Sequence, residues 1–190
     1  MILYGPPGAG KDTITSELTR IRKDFALYRR LKAGPGRTRG YRLTTTDHIE
    51  DLSRAGNLLY RNARYDAEYA IDRQGITALV DDGRIPVLHM GQVVGVDAAA
   101  AFPLRWIRVL LWCPLNVTES RSTGRKDKDV DARVKVWHET REDVLAHEAE
   151  PWTLTLRTDR LSPTESANAI IDAVATTASA EIRNVREFVG

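Results

Sequence analysis

An α/β fold with a parallel sheet flanked by helices is predicted by two features of this chain. Short apolar runs alternate with helical periodicities, and two of those runs are apolar enough for strands covered on both faces. Residues 2–4, 85–90 (Ile-Pro-Val-Leu-His-Met), 106–113 (Trp-Ile-Arg-Val-Leu-Leu-Trp-Cys) and 152–158 read as strands, the middle two being the apolar ones. Helices are expected at about 11–22, 46–55, 71–82, 115–122, 129–148 and 163–187. The last begins well: Ser162-Pro163-Thr164-Glu165 offers an N-cap serine, a proline in the first turn and a glutamate at capping-box spacing. At 190 residues the chain fits one domain, 1–190, able to bury a core without metal or disulfide support.

Composition narrows the class. Hydrophobic content of 42% and charged content of 28% are ordinary for a globular protein. No apolar run approaches the roughly 20 residues of a membrane span, so no membrane partner is expected. Met1-Ile2-Leu3-Tyr4 does not read as a signal peptide, and a lone Cys113 excludes an internal disulfide framework; a reducing cytoplasm is the expected location. A net charge of +2 is too small to imply a nucleic-acid partner. The positive charge is local: Arg29, Arg30, Lys32, Arg37, Arg39 and Arg42 crowd a Gly/Pro-containing stretch, which reads as a solvated loop or an anion site.

Residues 5–13 read Gly-Pro-Pro-Gly-Ala-Gly-Lys-Asp-Thr, after a β-like run and before a helical pattern, the setting a Walker A loop requires. Gly5, Gly8 and Gly10 let the backbone turn so that successive N–H groups converge on a phosphate at the positive end of the following helix. Lys11 would reach the β- and γ-phosphates of ATP, the expected cofactor together with Mg²⁺. The position that normally supplies a magnesium-binding hydroxyl is Asp12. It either holds Mg²⁺, directly or through water, or is an acid favoured by the helix dipole. Adenylate-kinase-like loops are similar in placing a threonine next, which implies that Thr13 meets the α-phosphate.

Two stretches interrupt the α/β alternation, 24–70 and 121–133, and long insertions in such a domain are usually functional. Arg29, Lys32, Tyr41 and Tyr69, with Ala33-Gly34, stand at spacings of three, nine and 28 residues. On this spacing the chain resembles the guanylate kinase family over nearly its whole length. The resemblance implies a P-loop kinase fold with an acceptor-binding sub-region at 24–84 and a short lid at 121–133. It also implies that these four side chains hold an acceptor phosphate, as guanidinium, ammonium and phenol groups can. Tyr60, Ile71 and Gly91 fall where that family reads guanine, and Tyr60 supplies no carboxylate. Either the base site is replaced, with Tyr60 among the acceptor contacts, or the register slips and His89 or Glu68 supplies polar contacts. Ribose-1,5-bisphosphate kinases resemble the family in the same partial way.

The lid carries Arg121, Arg125 and Arg133, expected as catalytic charges over the γ-phosphate. Arg141 reads as a helix-surface residue. Thr158-Asp159 follows a strand where such kinases seat adenine, or is a plain turn. His48, His89, His138 and His147 have no metal-binding spacing. The expected function is ATP-dependent transfer of a phosphoryl group to a phosphorylated small molecule, a nucleotide or sugar phosphate other than GMP. Three rivals remain: a guanylate kinase proper; a hydroxyl kinase with Asp47, Asp66 or Glu68 as base; and a non-catalytic binding module.

Overall fold

The computed structural model describes residues 1–36, 38–64, 66–124 and 130–190. Five parallel strands form the main sheet in the order β2-β7-β1-β8-β10: β2 (Phe25–Leu27), β7 (Ile85–Met90), β1 (Ile2–Tyr4), β8 (Arg108–Trp112) and β10 (Leu154–Arg157). Alternation along β1 builds both cores. Ile2 and Tyr4 pack with Leu88, Met90, Leu110 and Trp112 on one face. Met1 and Leu3 pack with Val87, Val109 and Leu111 on the other. Helices α1 (Lys11–Ile21) and α7 (Pro163–Ala175) cover the second face through Ile14, Leu18, Ala167 and Ile170. Helices α4 (Val93–Ala100) and α6 (Val130–Ala146) cover the first through Val93, Val96, Trp137 and Val144. Tyr4 donates its hydroxyl to Asp143 Oδ2 at 2.8 Å, and the same oxygen accepts from Val93 N at 2.8 Å, tying α6 to the start of α4.

The insertion folds into a second, smaller layer. Strands β3 (Leu31–Ala33), β4 (Arg42–Leu43), β5 (Leu58–Arg64) and β6 (Ala67–Asp72) form a sheet in the order β4-β3-β6-β5. Helices α2 (Thr46–Arg54) and α3 (Arg73–Asp81) accompany it; Ile49 and Leu52 of α2 pack on Leu31, Ala33 and Ala70. Asp72 holds the corner to α3. Its carboxylate caps Gly75 N at 2.8 Å, accepts from Tyr28 Oη at 2.7 Å and pairs with Arg42. Burial alone would raise this carboxyl, but Arg42 and Tyr28 outweigh it and hold it below the usual carboxylate range. Arg42, one of the crowded basic residues, is therefore a structural cation.

Two expectations need correction. The helix at 163–187 is not continuous. α7 starts with the full capping box on Ser162 and Glu165 but stops at Ala175, where Thr177 turns into the left-handed region (φ 52°). A two-residue strand, β11 (Glu181–Ile182), then pairs with β9 (Pro151–Trp152), and α8 (Val185–Val189) follows. Helix α4 occupies a stretch where no element is expected from the sequence, its small apolar residues lacking amphipathic contrast. The other helices, including α5 (Leu115–Gly124), fall within two residues of expectation.

Candidate active site

The loop 5–13 links the central strand β1 to α1 at the carboxyl end of the parallel sheet, the usual place for a ligand in an open α/β fold. Its glycines are demanded by geometry. A Cβ on Gly5 would come within 2.2 Å of Leu111 O, and Gly10, the N-cap of α1, has φ 83°. Gly10 has no side chain to cap the helix, so the first N–H groups of α1 face the loop as an anion-binding nest. Lys11 Nζ donates to Gly5 O at 2.5 Å and Pro6 O at 3.0 Å, closing the loop on itself. Burial lowers the Lys11 ammonium to about 8.

Three adjoining cavities run through this region, and lining residues are shared between neighbours. The central one, about 510 Å³, is lined by the loop with Arg30, Tyr41, His89 and Arg133. On one side it shares Gly8, Gly10 and Thr13 with a cavity of about 320 Å³, lined also by Ile14, Arg121, Thr158, Leu161 and Ser166. The hydroxyl of Ser166 is buried there without a partner. On the other side it shares Arg30 and Tyr41 with a cavity of about 180 Å³ formed by Tyr60, Asn62, Arg64, Tyr69, Gly91 and Gln92.

Of the expected acceptor residues, the structure brings Tyr41 and Tyr69 together, ring centroids 5.3 Å apart, and adds Tyr60 in the same cavity. Tyr60 donates to Gln92 Oε1 at 2.5 Å, and its ring packs where only a glycine, Gly95, leaves room. Arg29 is exposed and lines none of these cavities; its neighbour Arg30 lies over the Tyr69 ring at 5.2 Å and lines both the central and the small one. Successive side chains of an extended segment face opposite ways, so a one-residue step decides which arginine enters. Lys32 is 1% exposed and donates to the carbonyls of Gly34 and Pro35, with its ammonium 5.9 Å from the Tyr69 ring. Ile71 is fully buried in the core, and Gly91 lines the small cavity.

The sequence does not single out Asn62. It follows Tyr60 by two residues on β5 and so shares its face, and its Oδ1 is buried without a partner beside the small cavity. An asparagine in a mixed polar strand carries no signal that separates it from a solvated one. Arg64, two residues further, donates to Glu139 Oε2 of α6 at 2.5 Å across the cleft.

Among the lid residues, Arg121 donates to Gly8 O at 2.7 Å and Thr158 O at 2.6 Å, which puts it on the 320 Å³ side, away from Arg30. The reason is local: Thr118, one turn earlier on α5, hydrogen-bonds Pro7 O at 2.9 Å and seats that helix against the loop. Arg133 of α6 lines the central cavity. Arg125 lies outside the described residues. Asp47 and Asp66 are exposed, and Glu68 accepts from Arg61; none of the three lines these cavities.

Asp12 extends from the first turn of α1 with its side chain 75% exposed, 3.5 Å from His89 Nδ1. No group of three His, Cys, Asp or Glu among the described residues could hold a metal unaided. The donor set fits Mg²⁺ only as an ion sharing its shell with phosphate oxygens and water.

No family model matches the sequence, and no curated protein matches it. Solved structures do. Guanylate kinase from Anaplasma phagocytophilum superposes with a TM-score of 0.64 at 12% identity, over 94% of this chain and 85% of that one. The chain shares the fold of that guanylate kinase. Shikimate kinase from Acinetobacter baumannii, in complex with shikimate, is a more distant match with a TM-score of 0.50 at 16% identity, over 93% and 92% of the two chains. No helix among the described residues is long and apolar enough to cross a membrane.

Proposed function

We propose that this chain is an ATP-dependent kinase that transfers the γ-phosphoryl group to a phosphate already present on a small molecule, and that GMP is not the preferred acceptor. The observation that carries the reading is the sharing of Arg30 and Tyr41 between the phosphate-loop cavity and the cavity of Tyr60, Asn62 and Tyr69. An anion held there sits beside the γ-phosphate position, as in-line transfer requires.

The residues divide the work. Gly5, Gly8, Gly10 and the amides opening α1 hold the β-phosphate, Thr13 the α-phosphate, and Ile14, Leu161 and Thr158 the adenine end with Arg121. Lys11 leaves its carbonyl partners for the β- and γ-phosphates. Arg30 and Arg133 offset the charge that gathers between donor and acceptor. Asp12 would hold Mg²⁺ together with the phosphates of ATP, and the ion would supply positive charge to offset theirs. A phosphate nucleophile is already ionised and needs no strong base, which agrees with the positions of Asp47, Asp66 and Glu68 away from the cavities. Residues 24–84 act as the acceptor-binding sub-region and 121–133 as the lid, closing to exclude water. The acceptor's remaining end faces Tyr60, Asn62 and Gln92.

Guanine presents an N1–H and an exocyclic amine that need acceptors. Tyr60 gives its proton to Gln92 and offers only a neutral phenol oxygen where the guanylate kinase family places a carboxylate, Ile71 is buried and Gly91 has no side chain, so Asn62 Oδ1 is the one strong acceptor left to meet the two donors. A buried donor without a partner costs about 1–3 kcal/mol, so GMP should be one to two powers of ten poorer than the best acceptor in kcat/KM. Steady-state ADP release with GMP, dGMP, AMP, CMP, UMP and ribose 1,5-bisphosphate measures this. GMP as the best substrate by kcat/KM would make the protein a guanylate kinase proper.

A further inference from the structure

His89 stands on β7 facing the phosphate loop, and its hydrogen bonds specify its tautomer. Thr15 Oγ1 gives its only proton to Lys11 O at 2.8 Å, one turn back on α1. The same oxygen is 2.7 Å from His89 Nε2, so it accepts there and Nε2 carries the hydrogen. In the neutral imidazole the lone pair is then on Nδ1, which looks toward the carboxylate of Asp12 at 3.5 Å in the cavity both residues line. Two lone-pair donors at that distance repel unless something electropositive lies between them. A cation about 2.1 Å from each of two ligand atoms holds them about 3.0 Å apart in octahedral and about 3.4 Å in tetrahedral geometry, near the spacing seen. Lys11 and Arg30 also face the imidazole, so a bare cation is repelled and a metal enters only with phosphates that outweigh those charges.

Resting on the donor-site reading above, we infer that His89 Nδ1 and Asp12 together ligate the divalent ion of the bound nucleotide, giving this kinase a nitrogen ligand and a preference for Mn²⁺ or Co²⁺ over Mg²⁺. Imidazole suits transition metals, whereas Mg²⁺ selects oxygen and holds its waters. Thr15 is the positioning residue: its hydroxyl keeps the hydrogen on Nε2 and leaves Nδ1 free, as partners of metal-bound histidines do. The sequence hides the pair, since the two residues are distant along the chain and meet only where α1 leaves the loop beside β7.

The experiment uses Mn²⁺ and ADP with the full chain. Electron spin echo envelope modulation of the Mn²⁺·ADP complex should show coupling to ¹⁴N, which changes to the ¹⁵N pattern in protein labelled with ¹⁵N-histidine and disappears in His89→Gln. Nitrogen of the nucleotide would survive the labelling and is thereby separated. In calorimetry, the preference for Mn²⁺ over Mg²⁺ in the ADP complex should fall about tenfold in His89→Gln and in Thr15→Val. Absence of histidine nitrogen coupling while ADP binds overturns the inference and leaves the donor site standing; a water bridge between the two residues gives that result. Failure of ADP to bind in the presence of either metal removes the donor-site reading and the inference with it.

Discussion

The two halves of the cleft are built from different material. On the donor side the chemistry is main chain: three glycines, an uncapped helix start and carbonyls that hold Lys11 and Arg121. On the acceptor side it is side chain: Tyr41, Tyr60, Asn62, Tyr69 and Arg30, presented by a small sheet whose strands pair across the insertion. A backbone nest recognises any phosphate and tolerates few changes to its loop. A side-chain cavity can exchange its readers one position at a time while the frame persists. The donor half thus fits a reaction class, and the acceptor half is where one kinase comes to differ from another.

That contrast is open to test, beginning with the donor side. Lys11→Ala should lower kcat by about a thousandfold with little change in melting temperature, because the ammonium proposed to turn to the transferring group is held in the free enzyme by two loop carbonyls and is no core contact. ADP release and thermal denaturation measure the two effects; transfer at the wild-type rate would remove the phosphate-loop assignment. On the acceptor side, Arg30→Ala should cost about a hundredfold in kcat/KM for the acceptor, as loss of a charge-assisted hydrogen bond does, and Arg29→Ala less than about threefold. The reverse order would restore the spacing-based register.

Arg121 sharpens the comparison because its two readings differ in which parameter falls, ATP affinity or kcat. The hydrogen bonds to Gly8 and Thr158 put it on the cavity proposed for the adenine end, so Arg121→Ala should weaken ATP binding about tenfold and change kcat less. A large loss of kcat with ATP affinity intact would instead mean that Arg121 acts on the γ-phosphate, as the resemblance implies. The smallest effect is on pH. Burial lowers Lys11 from 10.5 to about 8, so the free enzyme loses the charge that attracts phosphate as pH rises through about 8. Bound phosphates favour the protonated lysine, so kcat/KM for ATP should fall severalfold between about pH 7 and 9 while kcat stays level. A flat kcat/KM would show that Lys11 keeps its proton in the free enzyme.

Much of this architecture is written locally. The phosphate loop was legible because its function depends on consecutive residues: glycines that turn the chain, a lysine, and a helix that starts on time. β7 spans 85–90 as its apolar run implies, and the capping box at Ser162 forms between residues three apart. What is not local could not be read. Arg30 rather than Arg29 enters the cleft, a choice made in the segment that leads into β3 and not by the spacing of the basic residues. Lys32 spends its hydrogen bonds on Gly34 and Pro35, Tyr60 on Gln92, and His89 of β7 comes within 3.5 Å of Asp12 of α1. Helix α7 ends early because β11 pairs with β9, a contact some thirty residues away. Periodicity reports which face of an element is apolar. It does not report which polar atom on the other face finds a partner, since that depends on register and on residues that become neighbours only when the chain has folded.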